Sequence, residues 1–248
     1  GTFQDALSRS ERSDKLGKVD SYGVIFDPKM KGKVAMEDAW INSAIFAAIY
    51  LKEGENKSIK DPGNLSESEL GMVMEFLIKH KKDGQFRALW GDFGELVNFL
   101  ASGEIVVCDA WQPSVMAVKA QGKACKYAIP KEGYRGWSIG NTMLKGTPNK
   151  AAVEAYADYW LSGPPGIIVS EQGYYSPTTN IKEVMSPEKY AFWYEGKPWV
   201  GATERGIKEG DLRDGGSLET RAANVAYWHQ WPEEYDHLVQ KWDEFLSA

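Results

Sequence analysis

Residues 103–137 read GEIVVCDAWQPSVMAVKAQGKACKYAIPKEGYRGW, and the fold is decided there. Glu104 to Ala110 is a β-branched apolar run of strand length, Pro113 to Gln121 carries apolar residues at helical spacing, and Ala124 to Ile129 is strand-like again. This order predicts a βαβ unit. Its two parallel strands end on one edge of the sheet, the edge at which open α/β sheets bind ligands. A tryptophan follows each strand, Trp111 directly and Trp137 after a PKEGYRG turn. Two rings are therefore expected to face one crevice.

Upstream the same alternation holds. YGVIF from Tyr22, a DPKMKGK turn and a short VAM strand lead to Glu37 and Asp38, and a helix is expected from Ala39 to Leu51 with Ile41, Ala44, Ile45, Ala48 and Ile49 on its apolar face. Asp38, at this strand-to-helix junction, has two readings: helix N-cap and ligand contact. Ser66 and Glu69 stand at capping-box spacing before a helix whose Met, Phe and Leu stripe is core, and His80 near its end reads as an exposed residue suited to the negative terminus. Phe86 to Trp90 is a short strand and Phe93 to Leu100 a short helix. The alternation over 21–130 predicts an α/β lobe with a mainly parallel sheet. Residues 1–20, polar and without periodicity, read as a tail or a strap across a surface.

Downstream, WSIGNTMLKG is strand-like and Asn149 to Leu161 is helical. IIVSEQGYYSPTTN leaves Tyr174 and Tyr175 on a loop, where large rings are exposed unless a ligand covers them. Residues 201–219 are loop-like, with five glycines among many charges. Glu233 to Ala248 is an amphipathic helix burying Tyr235, Leu238, Val239, Trp242 and Phe245. Residues 131–248 are expected to form the helix-rich remainder of a second lobe on an incomplete sheet, with a hinge near Pro130.

Composition narrows the function classes. A net charge of −6 argues against general nucleic-acid binding, and no apolar run approaches the roughly 20 residues that cross a bilayer. The chain opens with Gly1 instead of Met, so the lack of an export signal carries no weight. Cys108 and Cys125, in the two strands of the opening unit, are expected as buried thiols. The 10 tryptophans and 12 tyrosines suit a surface that stacks on flat or cationic ligands as well as a core. Gly136 to Gly140 spell GxSxG, the elbow of serine hydrolases, with His229 and His237 downstream; yet a charged turn precedes Ser138 and a strand-like stretch follows it, the reverse of an elbow's context. There is no HExxH, no Walker loop, no GxGxxG after a strand and no metal spacing of Cys or His, so no cofactor or metal is expected.

The stretch GEIVVCDAWQPSVMAVKAQG with its following PKEGYRGW resembles the spermidine/putrescine-binding type of periplasmic solute-binding protein, the receptor component of ABC importers. DPKMKGKVAMEDA and GYYSPTTN extend the resemblance, which runs from about Ser21 to Asn180. It implies a type II periplasmic binding fold, with one complete lobe and a partial second one, that closes on a small ligand and delivers it to a membrane permease. It also implies a box of rings and carboxylates for an organic cation such as a polyamine. Position by position, Asp38 falls on a ligand carboxylate, Trp111 and Trp137 on box tryptophans, and Tyr174 on a box tyrosine, with Tyr175 beside it. Two further carboxylates of the polyamine receptors fall on Ile41 and Ile139, which implies a less negative site. Family members carry about a third more chain at the amino end, so the sequence reads as a fragment, as a lobe completed by a second chain, or as a reduced variant. The alternatives in function are a serine hydrolase using Ser138 and an interaction module without a closed site; for the ligand, the alternative is an anion or zwitterion held by Arg135 or by the helix start after Trp111.

Overall fold

A computed structural model describes residues 2–17 and 20–248, with residues 2–11 described by their backbone. The chain opens with strand β1 (Thr2–Glu11) and helix α1 (Gly23–Phe26), then β2 (Val34–Glu37), α2 (Trp40–Ile49), α3 (Glu67–Lys82), β3 (Phe86–Trp90), α4 (Phe93–Ser102), β4 (Val107–Ala110) and α5 (Gln112–Ala120). Strands β5 (Lys126–Tyr127) and β6 (Tyr134–Gly140) follow. Five helices come next: α6 (Lys150–Leu161), α7 (Pro164–Glu171), α8 (Ile181–Val184), α9 (Pro187–Trp193) and α10 (Leu218–Ala223). Strand β7 (Val225–Trp228) and helix α11 (Tyr235–Ser247) close the chain.

The strands form one sheet in the order β3-β2-β4-β1-β6-β7, with β5 also pairing β1. β2 runs parallel to β3 and β4, β6 runs parallel to β7, and β1 is antiparallel to each of its neighbours. β1 therefore joins two parallel halves. Its carboxyl end pairs with β4 (Ser8 opposite Ala110, Glu11 opposite Val107), and its amino end pairs with β6 (Thr2 opposite Gly140, Leu7 opposite Arg135). The stretch expected as a tail or strap is thus a central strand over residues 2–11; residues 1, 18 and 19 lie outside the described part. A polar sequence can hold this place because the ladder is made by backbone groups, which any residue but proline supplies. The strand is also anchored at its end. Arg12 is buried and donates to the carbonyls of Leu100 (2.8 Å) and Ala101 (3.0 Å) in the last turn of α4.

The same strand corrects the βαβ unit. β4 and β5 point the same way, but β1 lies between them, with Ser10 opposite Cys108 on one side and Tyr127 on the other. Cys108 and Cys125 are both buried.

Local signals account for the helices around this sheet. Ser66 caps α3 reciprocally with Glu69, whose Oε2 accepts from the Ser66 N–H at 2.8 Å. Asp92 caps α4 by accepting from the Glu95 N–H at 3.0 Å, and Gly103 ends it in the left-handed region at φ 79°. His80 is half-buried beside the Phe76 ring at 4.3 Å, so it is a packing residue and not an exposed one.

One apolar cluster unites α2, α3 and β2, and α11 belongs to it through Leu238, Trp242 and Phe245. Lys81 Nζ of α3 donates to the carbonyls of Phe245 (2.9 Å) and Leu246 (2.7 Å), so it satisfies the carboxyl end of α11. Helix α11 thus packs against elements from the first half of the chain. A separate cluster under α7 to α9, including Tyr175, Phe192, Trp193 and Trp199, forms the core of the helix-rich part.

Candidate functional site

Three separated segments bring rings to one place. Trp111 is the N-cap of α5, directly after β4, and its half-buried indole stands edge-on to Trp90 at 5.5 Å and 85°. Trp137 lies in the middle of β6, and Tyr174 follows Gly173 at the end of α7. The Trp137 and Tyr174 rings meet edge to face, with centroids 5.6 Å apart at 79°. All three border a cavity of about 470 Å³ whose other walls are Asn42, Arg135, Ser138, Ile139 and His229. A volume of this size suits a small organic solute.

Gly173 makes the placement of Tyr174 possible. Its φ of 104° is strained for any residue with a side chain, and a Cβ there would come within 2.2 Å of Gln112 Cγ on α5.

Arg135 is the charged wall. β6 begins within the stretch expected to be a turn, so Arg135 and Trp137, two residues apart on one strand, project to the same face. The side chain is 5% exposed, and Nη2 donates to His229 Nδ1 at 3.1 Å while Nε has no partner among the described residues. Burial pulls its pKa down to about 10, which still leaves a cation at neutral pH. His229 is lowered too, first by burial and then by Arg135.

Beneath the pocket lies an acidic pair. Glu37, at the end of β2, is pushed up to about 8 by burial and then by the nearby Asp109 carboxylate. Its Oε2 accepts from Asn42 Nδ2 at 2.6 Å. Asp109, fully buried in β4, is pushed up to about 6 by burial; its Oδ1 accepts from the Glu37 N–H (2.8 Å) and its Oδ2 lies 2.6 Å from the Ser43 hydroxyl. Glu37 is therefore largely uncharged at neutral pH. Among the described residues no carboxylate lines the pocket.

Of the site residues expected from sequence, Trp111, Trp137 and Tyr174 are brought together. Asp38 and Tyr175 are not. Asp38 is exposed, leaves the N-cap of α2 to Ala39, and accepts from Trp242 Nε1 at 3.1 Å. Tyr175 is buried in the helix-rich core, with the Arg213 guanidinium 4.2 Å from its ring centroid. Ser138 lies mid-strand, without the strand-to-helix elbow that a hydrolase nucleophile needs. Asn42 and His229 line the pocket without having been expected there. Both adjoin expected elements, but neither carries a local signal of its own.

Among the described residues no cluster of three His, Cys, Asp or Glu could hold a metal, and no helix is long and apolar enough to cross a membrane. The profile of a family described as bacterial extracellular solute-binding protein matches residues 4–195. No curated protein matches the chain in sequence. Among solved structures, a Listeria monocytogenes protein assigned to spermidine/putrescine ABC transport is similar with a TM-score of 0.72 at 15% identity, over 98% of this chain and 67% of that one. The PBP MotA of A. tumefaciens B6, solved with glucopine, gives 0.66 at 13% identity over 98% and 69% of the two chains. The PBP AgtB of A. tumefaciens R10, solved with agropinic acid, gives 0.61 at 14% identity over 100% and 69%. The chain thus spans about two thirds of the length of these structures.

Proposed function

Because the chain belongs to the bacterial extracellular solute-binding proteins, we propose that it is a receptor that takes a small organic solute into the pocket of Trp111, Trp137 and Tyr174. On this reading it works outside the cytoplasmic membrane, in the periplasm, closes about the segment near Pro130, and delivers its ligand to the permease of an ABC importer. The observation that carries it is the convergence of three rings, from the ends of β4 and α7 and from β6, on one cavity. Rings so placed stack on flat groups or attract cations, each contact being worth roughly 0.5–2 kcal/mol.

The ligand class follows the charged walls more than the rings. An organic cation fits the rings, and the Listeria protein is assigned to spermidine/putrescine transport. Against a polyamine stand the position of Asp38 outside the pocket and Ile139 on its wall, where the resemblance puts a carboxylate in polyamine receptors. MotA and AgtB, of the same fold, were solved with glucopine and agropinic acid.

The test is a melting-temperature screen of small solutes with a parallel turnover assay. A receptor gains several degrees with a bound solute and releases it unchanged. Hydrolysis of an activated ester that disappears in Ser138→Ala would instead make the pocket an active site.

A further inference from the structure

Arg135 is buried, yet it lines the pocket beside His229. A guanidinium has five N–H donors and no acceptor, so every bond it makes is a donation. One goes to His229, which fixes the plane of the group, and Nε, itself buried, has no partner among the described residues. Buried cations are ordinarily paired, because the loss of water around the charge must be offset. Here no ion pair joins Arg135 to any described carboxylate. Glu37, the described carboxyl whose charge acts on Arg135, spends its carboxyl on Asn42, and burial keeps it mostly protonated at neutral pH. A buried positive charge, with one donor unpartnered among the described residues, thus lines a cavity whose other described walls are neutral rings, an amide, a hydroxyl and an isoleucine.

We propose that Arg135 is the anchor for a carboxylate on the solute, whose remaining flat or cationic part lies against Trp111, Trp137 and Tyr174. This rests on the receptor reading and narrows it. The planar fork of arginine matches the two oxygens of a carboxylate, and the bond strengthens in a site closed to water. His229, held as an acceptor, keeps the fork from turning away. The ligand is therefore an organic acid or an amino-acid-like zwitterion in preference to a simple polyamine.

Calorimetric titration of the whole chain tests this with succinate, phenylacetate and L-glutamine, their matched amides, inorganic phosphate, and putrescine. At least one acid should bind, and the matched amide, which lacks the carboxylate charge, at least tenfold more weakly. This comparison needs no variant. In addition, Arg135→Lys, if it melts as a folded protein, should weaken the acid at least tenfold. Amides that bind as well as acids, binding of phosphate or putrescine alone, or a folded Arg135→Met with unchanged acid affinity would each overturn the proposal and leave the receptor reading standing. If no solute binds and none raises the melting temperature, the receptor reading fails and the anchor with it.

Discussion

Arg135 Nη2 donates to His229 Nδ1 at 3.1 Å, across the parallel pair of β6 and β7. Because arginine cannot accept, Nδ1 must carry the lone pair and Nε2 the proton. The bond needs a neutral imidazole, and burial together with the guanidinium lowers the His229 pKa below its usual value. The ring should therefore titrate below about 6.5 when followed by NMR. Arg135→Met should move the midpoint upward, while a midpoint at or above the ordinary value in the unaltered protein would mean that the two side chains do not meet.

Glu37 makes stability depend on pH. Its folded pKa of about 8 lies above the ordinary 4.5, so between these values the folded state holds a proton that the unfolded chain has lost. Stability should fall as pH rises through this window and level off above it, with Asp109, raised to about 6, adding to the lower half. The groups around Glu37 are Asp109 of β4, Asn42 of α2, Arg135 of β6 and the adjacent Asp38. Denaturant unfolding of Glu37→Gln should show a flatter profile. Above pH 8 the ionised Glu37 offsets the Arg135 charge, so affinity for a carboxylate should drop there in the unaltered protein and not in the variant.

Gly173→Ala should destabilise by about 1–3 kcal/mol, since a side chain at φ 104° is strained and its Cβ meets Gln112. It should also weaken solute binding, because Tyr174 follows directly. A variant with unchanged melting temperature and affinity would contradict the packing of α5 against this loop.

Asp38→Asn should leave solute affinity within about twofold, as Asp38 lies outside the pocket and asparagine can still accept from Trp242. Asp38→Ala removes that acceptor and should cost about 1 kcal/mol of stability. Loss of putrescine binding in Asp38→Asn would restore the organic-cation box.

How much of this was legible in the sequence varies with the kind of interaction. Trp111 and Tyr174 are legible because each follows an element whose periodicity is clear, whereas Trp137 stands inside a strand that the glycines around it conceal. Arg135 was read within a glycine-flanked turn, so its i, i+2 relation to Trp137 stayed hidden until β6 was seen to begin at Tyr134. The strand Thr2–Glu11 carries no apolar signal strong enough to mark it, since it is held by backbone pairing on both sides. The apolar stripe of α11 was readable, but its docking on α3 depends on a surface distant in sequence. Asp38 was assigned to the ligand by resemblance, whereas its carboxylate is engaged by Trp242 from that same docked helix.

Whether a solute binds where Trp111, Trp137 and Tyr174 meet can be read by hydrogen exchange with and without a saturating solute. Exchange should slow at residues 134–140, at the start of α5 after Trp111, and at 173–175, with the far face of α3 unchanged. Protection confined to segments away from Trp111, Trp137 and Tyr174, with those three unaffected, would contradict it.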